Sequence, residues 1–314
     1  MKIIVTGGAG FLGSHLCKRL LGEGNEVICL DNLLTGSIDN IRPLQDYKNF
    51  EFRQVDVSEK LPDDLKADQI YHLASPASPN LHSHKSYHSL PFETMKVNTQ
   101  GTWNLCDLAL ANKAKILFAS TSECYGNPLE HPQKEEYRGN VSTTGPRSVY
   151  DEAKRFGETI VAAYVRSKDL DGKIIRIFNT YGPGMSLDDG RVVIEFIQSA
   201  LKNKPIPIFG DGAQTRSFCY VDDLIEGIIK VMNSDKSKGE IFNLGNPGEY
   251  TILELAGTVK KITDSRSEMS FVESLPKDDP LKRRPDITKA KEVLNWEPKI
   301  SLEEGLKKLL QSLA

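Results

Sequence analysis

The chain has 314 residues, enough for one large α/β unit or two modest domains with a substantial core. Apolar residues make up 39% and charged residues 26%, the composition of a soluble globular protein, and a net charge of −3 leaves no electrostatic case for nucleic acid or a membrane surface. Five scattered cysteines without a C-x-x-C pair read as free thiols in a reducing compartment, and no apolar run approaches transmembrane length. The chain opens directly on a strand, so no signal peptide is expected and the cytoplasm is the expected location.

In chain order, the apolar run Lys2–Thr6 leads into Thr6-Gly-Gly-Ala-Gly-Phe-Leu-Gly13 and then into a helical pattern over Leu12–Gly22. Strand, glycine turn and helix in that order is a dinucleotide-binding fingerprint: glycines admit the pyrophosphate, and the helix start offers free N–H groups. The next strand, Glu26–Asp31, ends in a carboxylate about twenty residues past the glycines. Such a group accepts from a ribose 2′-OH and repels a 2′-phosphate, which favours NAD over NADP. Asp31 can also cap a turn with Asn32, and the two roles are compatible. Further strands are expected at Phe50–Val55, Gln69–Leu73, Ile116–Ala119 and Lys173–Ile177, with helices at Phe92–Ala111 and Tyr150–Ser167. Asp56, after the third strand, is placed either to reach the adenine or to cap a turn.

The alternation predicts an α/β fold: a Rossmann-like doubly wound parallel sheet with a smaller C-terminal substrate-binding lobe. Past Asn179 the pattern loosens, with helices expected at Val192–Leu201, Leu224–Asn233, Ile252–Ile262 and Leu302–Leu310 and a Pro- and charge-rich stretch over Pro276–Asp286. The expected division is a nucleotide domain over 1–178, to which 217–245 returns, and a lobe built from 179–216 and 246–314.

Tyr150-Asp-Glu-Ala-Lys154 puts a phenol and an ammonium four residues apart on one helix face. A phenol ionises near pH 10 in water. A nearby lysine and a cationic nicotinamide would both lower that value and make tyrosinate available as a base. The run Ala119-Ser-Thr-Ser-Glu123 follows an apolar strand, at the sheet end that faces the ligand crevice, so Ser120, Thr121, Ser122 and Glu123 are expected to reach toward substrate. The plainer account is a helix N-cap with an acid in its first turn.

With these motifs in place, the chain resembles the extended short-chain dehydrogenase/reductase family, in its sugar-nucleotide modifying branch. Within that branch it is most similar to the UDP-glucuronic acid decarboxylases, which make UDP-xylose. The likeness is carried by His72-Leu-Ala-Ser-Pro-Ala-Ser-Pro79, Ser120-Thr-Ser-Glu-Cys-Tyr-Gly126, Gly145-Pro-Arg-Ser-Val-Tyr-Asp-Glu-Ala-Lys-Arg155 and Arg176-Ile-Phe-Asn-Thr-Tyr-Gly-Pro183. Asp189-Gly-Arg-Val-Val193, Gly212-Ala-Gln-Thr-Arg-Ser-Phe218, Asn243-Leu-Gly-Asn-Pro247 and Lys282-Arg-Arg-Pro-Asp-Ile287 continue it in order. The resemblance implies a UDP-sugar substrate, bound NAD that is recycled, and a homodimer through Phe92–Ala111 and Tyr150–Ser167. It implies a cofactor cradle from Gly7, Gly10, Phe11, Leu12 and Gly13, then Asp31, Asn32, Thr35 and Gly36. Asp56, Val57, Leu73, Ala74, Ser75 and Thr180 complete it beside Tyr150 and Lys154.

The same resemblance implies a cycle in which Tyr150 takes the proton of the sugar 4-OH while C4 is oxidised. The carboxylate, now β to a ketone, leaves as CO2, and C4 is reduced again. Thr121 or Ser122 would steady the enolate, and Ser122, Glu123 and Arg283 are tied to the decarboxylation step. Lys96 and Asn104 are implied as glucuronate contacts. Arg191, Arg216 and Asn179 are candidates for the UDP phosphates or the sugar, because a guanidinium grips a pyrophosphate with paired donors.

One stretch departs from the family pattern. The loop Asn80–Leu90 is longer and carries His82, His84 and His88; with no cysteine near, it reads as a polar loop and no metal site is expected. Tyr87 is its candidate for meeting the sugar. The alternatives are a sugar-nucleotide 4,6-dehydratase, a 4-epimerase, and a non-catalytic NAD-binding scaffold. The Ser-Pro-Ala-Ser-Pro and Lys-Arg-Arg-Pro-Asp motifs weigh against the first, Glu123 against the second, and Tyr150 with Lys154 against the third.

Overall fold

Seven parallel strands make the central sheet of the computed structural model, which describes residues 1–186, 190–272 and 280–313. In chain order its first six are β1 (Lys2–Thr6), β2 (Glu26–Asp31), β3 (Phe50–Gln54), β4 (Gln69–His72), β5 (Lys115–Thr121) and β6 (Gly172–Ile177), and the last is Ile241–Leu244. Their order across the sheet is Ile241–Leu244, β6, β5, β4, β1, β2, β3. The apolar run of β1 has a simple cause: a parallel strand is covered on both faces. Ile3 and Val5 join the core on one face, with helices Phe11–Gly22 and Val221–Asn233. Ile4 joins the other, with helices Thr102–Asn112 and Ser148–Lys168.

The chain runs outward from β1 through β2 to β3, then returns to β4 on the other side. That reversal opens a crevice between the ends of β1 and β4, where open α/β sheets take their ligands. The described part of the chain beyond Asn179 adds a three-stranded sheet in the order Glu249–Thr251, Thr215–Ser217, Lys282–Arg283, and helices Val192–Leu201, Ile252–Thr263 and Leu302–Leu313. Lys282–Arg283 pairs in parallel with Thr215–Ser217, so Arg283 lies directly beside Arg216.

Most element positions agree with expectation to within a few residues. The expected single helix over Phe92–Ala111 is instead two α-helices, Pro91–Lys96 and Thr102–Asn112, joined by a π-helical turn over Val97–Gly101. Such a widened turn changes the phase of every side chain beyond it. Its buried Asn98 donates to Ser75 Oγ at 2.9 Å, joining this helix to the loop after β4. Within the Pro- and charge-rich stretch, residues 276–279 lie outside the described residues.

Candidate active site

The first half of the site is the glycine loop. Gly7 has φ +70°, and a Cβ there would fall 2.7 Å from Cα of Ala74, so only glycine lets the loops after β1 and β4 meet. Helix Phe11–Gly22 starts at Gly10 with no side chain capping its first N–H groups, which leaves them for an anion. Gly7, Gly10, Phe11, Leu12 and Gly13 all face one cavity of about 1170 Å³. Asp31 closes the end of β2. Its two carboxylate oxygens accept from the backbone N–H of Ala9 (3.0 Å) and of Leu33 (2.8 Å), which aims the group, while burial pushes its pKa upward.

Asn32, Thr35, Asp56 and Val57 continue the wall, and Leu73, Ala74, Ser75 and Thr180 form its opposite side. Gly36 stands behind the wall: a Cβ there would lie 3.0 Å from both Asp31 oxygens, so its part is to make room for that carboxylate. Asp56 accepts from Ser58 N and Asn32 Nδ2, both at 2.9 Å, so it caps a turn and lines the cavity at once. The volume exceeds the span usual for one small ligand. A narrow glycine cradle, an open helix start and an oriented carboxylate fit a dinucleotide with a free ribose.

The chemical half lies where β5 ends. Thr121 caps the short 3₁₀ turn Ser122–Tyr125 by accepting from Glu123 N at 3.2 Å. Tyr150 and Lys154 come from the buried face of helix Ser148–Lys168. Lys154 donates to the Ala119 carbonyl at 2.7 Å, with its Nζ 5.0 Å from the Phe118 ring centroid and 5.8 Å from that of Tyr150. Burial lowers the Lys154 pKa to about 7. The expectation that this lysine draws the phenol down is corrected in the protein alone: burial raises the Tyr150 pKa, and its hydrogen bond with Thr121 offsets only part of the rise.

Ser120 is a second correction. It faces the cavity, but its hydroxyl is committed to Glu158 Oε1 at 2.6 Å. Glu158 in turn is held by the Arg176 guanidinium through bonds of 2.8 and 2.7 Å, so Ser120 serves a buried ion pair between helix and sheet. Tyr87, from the long loop, stacks on Tyr150 with ring centroids 5.0 Å apart and planes 10° apart, and His88 packs against Tyr87 at 4.4 Å.

Glu123 is sealed between two guanidinium groups: Arg147 Nη2 at 2.6 Å and Arg283 Nη1. Burial alone would raise its pKa, but the two arginines hold it well below the usual carboxylate range. The sequence reading above assigns Arg147 no role of its own. The signal was present: a buried carboxylate requires a cation, and an arginine stands three residues before Tyr150 in the same motif. Arg216 and Arg191 face the cavity from the second lobe, as does Asn179 at the end of β6, and Arg191 precedes the first turn of helix Val192–Leu201. Asp189, expected to turn the chain into that helix, lies outside the described residues.

Two candidates fall away from the cavity. Asn104 spends its amide on the carbonyls of Val57 and Glu59, both at 2.9 Å, and so pins the turn after β3. Lys96 is exposed; Glu93 and Val97, one helical turn apart, occupy the wall instead. Adjacent helix residues point about 100° apart, so Lys96 beside Val97 faces outward.

Against this geometry, residues 3–245 match the model of the NAD dependent epimerase/dehydratase family. The chain belongs to that family. UDP-glucuronic acid decarboxylase 1 of Arabidopsis thaliana is 52% identical over 310 residues, covering 99% of this chain and 69% of that protein. UDP-glucuronic acid decarboxylase 6 of the same plant is 51% identical, covering 98% and 87%. Among solved structures, a UDP-glucuronic acid 4-epimerase from Bacillus cereus, in complex with UDP-glucuronic acid and NAD, superposes with a TM-score of 0.85 at 30% identity, covering 100% of this chain and 99% of that one. The family, its parallel α/β sheet and its use of NAD agree with the cradle described above.

Proposed function

We propose that this protein is an NAD-dependent UDP-glucuronate decarboxylase that forms UDP-xylose through a transient 4-keto sugar. The observation that carries this is the Glu123–Arg147–Arg283 cluster beside Tyr150. It supplies buried cationic charge at the point where a second carboxylate, that of the sugar, has to be held and then lost. Bound NAD supplies the acceptor for the C4 hydrogen and gives that hydrogen back. Tyr150 takes the 4-OH proton. Thr121 and Ser122 stand at the same strand end to hydrogen-bond the oxygen that carries charge as CO2 departs. Arg191 and Arg216 meet the diphosphate, and Tyr87 walls the sugar side of the pocket.

The reading includes a homodimer. Helices Pro91–Lys96, Thr102–Asn112 and Ser148–Lys168 expose Phe92 (69%), Trp103 (48%) and Phe156 (50%), large apolar side chains that a partner helix pair would cover. It also includes a cytoplasmic location, supported by five buried free thiols.

The test is mass spectrometry of the nucleotide sugar after incubation of UDP-glucuronate with the enzyme and NAD. Loss of CO2 is expected. An isomer of unchanged mass would instead make the protein a 4-epimerase, and loss of water from a hexose nucleotide a 4,6-dehydratase.

A further inference from the structure

Glu123 poses a chemical problem. When CO2 leaves, C5 of the sugar must receive a proton, and the acid at hand is held ionised by two arginines. A second cavity, of about 440 Å³, lies on the far side of Arg147. Gly126, Asn140, Ser142 and Asp151 line it, and Arg147 is common to both cavities. Asp151 is only 5% exposed, and its Oδ1 is sealed from solvent with no hydrogen-bond partner. An ionised carboxylate oxygen in that position would be costly; a neutral carboxyl is tolerated.

We infer that Asp151 is the proton store for the decarboxylation half of the cycle, reloaded from solvent through the second cavity. This rests on the decarboxylase reading. The groups that set its charge come from three elements. Burial acts first, and Glu123 from the turn after β5 adds to the rise. Arg147 and Glu152 flank it in sequence and Arg283 comes from the second lobe; the arginines oppose the rise and Glu152 adds to it. The net effect holds the Asp151 carboxyl well above its usual range.

The step balances. The C5–C6 pair stays on the sugar as the enolate when CO2 leaves. The enolate carbon takes a proton from a water molecule on Glu123, forming the C5–H bond. The hydroxide left behind is neutralised by the Asp151 proton, which regenerates water and leaves Asp151 ionised until solvent reprotonates it. Asp151 touches no reacting atom and acts through the cluster.

The experiment follows one turnover of UDP-glucuronate on the NAD-loaded enzyme from pH 6 to pH 10, reading CO2 release and, by absorbance, the rise and the later decay of reduced nicotinamide; the decay reports hydrogen returning to C4 once C5 is protonated. In the wild type, that decay is expected to slow tenfold or more as pH rises past neutral into the alkaline range. In Asp151→Asn the nicotinamide signal should rise at its normal rate and CO2 should be released, while the decay is slow at every pH and loses that dependence. Asp151→Glu should restore part of both the rate and the dependence. A wild-type decay flat across the range overturns the inference without any variant, as does Asp151→Asn with an unchanged decay. A wild type that forms no CO2 at all would overturn the decarboxylase reading instead.

Discussion

Tyr150, Lys154 and Glu123 are three buried ionisable groups held by three different means. Tyr150→Phe keeps the ring and its stacking on Tyr87 but removes the hydroxyl that bonds Thr121 and takes the sugar proton. The formation of reduced nicotinamide from UDP-glucuronate is expected to fall by at least a thousandfold, as stopped-flow absorbance would show. Lys154 makes the opposite trade. Its folded pKa, about 7, lies below that of the unfolded chain, so between pH 7 and about 10 the unfolded state holds a proton that the folded state has shed. Stability from this group therefore rises with pH through that window, and its cost is greatest below pH 7. Lys154→Met is expected to abolish oxidation yet raise the denaturation midpoint, most at pH 6 and least near pH 9, where loss of the bond to Ala119 offsets the gain. A midpoint that falls at every pH would contradict this. Glu123→Gln removes the buried carboxylate that Arg147 and Arg283 share, a loss on the order of 3–5 kcal/mol in urea unfolding. The wild type should lose the same stabilisation as pH falls through the carboxylate range, because the folded pKa lies below the unfolded one.

At the scale of elements, the sequence was legible where one rule decides. An apolar run, a glycine turn and an amphipathic helix can be arranged in one way, so β1 and helix Phe11–Gly22 were found almost to the residue. Asp31, Tyr150 and Lys154 were readable because their spacing fixes their place on a strand end or a helix face. The helix after the long loop was not, because its π-helical turn changes the phase between Lys96 and Asn104, and no periodicity announces an inserted residue. Arg283 could be found only through a motif, since the pairing that brings it beside Arg216 is long-range. Ser120 was misjudged because its real partner, Glu158, lies on another element. Helix Ser148–Lys168 also carries a packing requirement. A Cβ on Gly157 would fall 2.4 Å from Phe118 Cζ and 2.9 Å from the Asn98 carbonyl. Gly157→Ala should therefore destabilise by about 1–3 kcal/mol in spite of alanine's helix preference, and should loosen the turn that orients Asn98 toward Ser75.

For the whole molecule, the site draws on two parts of the chain. The sheet and its helices supply the cradle, Tyr150 and Lys154; the second lobe supplies Arg191, Arg216 and Arg283. The proposed dimer leaves both sets within one subunit and covers Trp103 and Phe156 on the outer helices. Trp103→Glu combined with Phe156→Glu is expected to halve the mass seen by sedimentation while leaving dinucleotide binding by each subunit in place. A variant that keeps the full mass would move the interface elsewhere. The pair between Glu123 and Arg283 spans 160 positions of sequence. A ribosome therefore releases the oxidising apparatus well before the guanidinium that completes the cluster. Until Lys282–Arg283 pairs with Thr215–Ser217, Glu123 has only Arg147 of its two guanidinium groups, so this buried carboxylate ties completion of the sheet domain to the docking of the chain's C-terminal part.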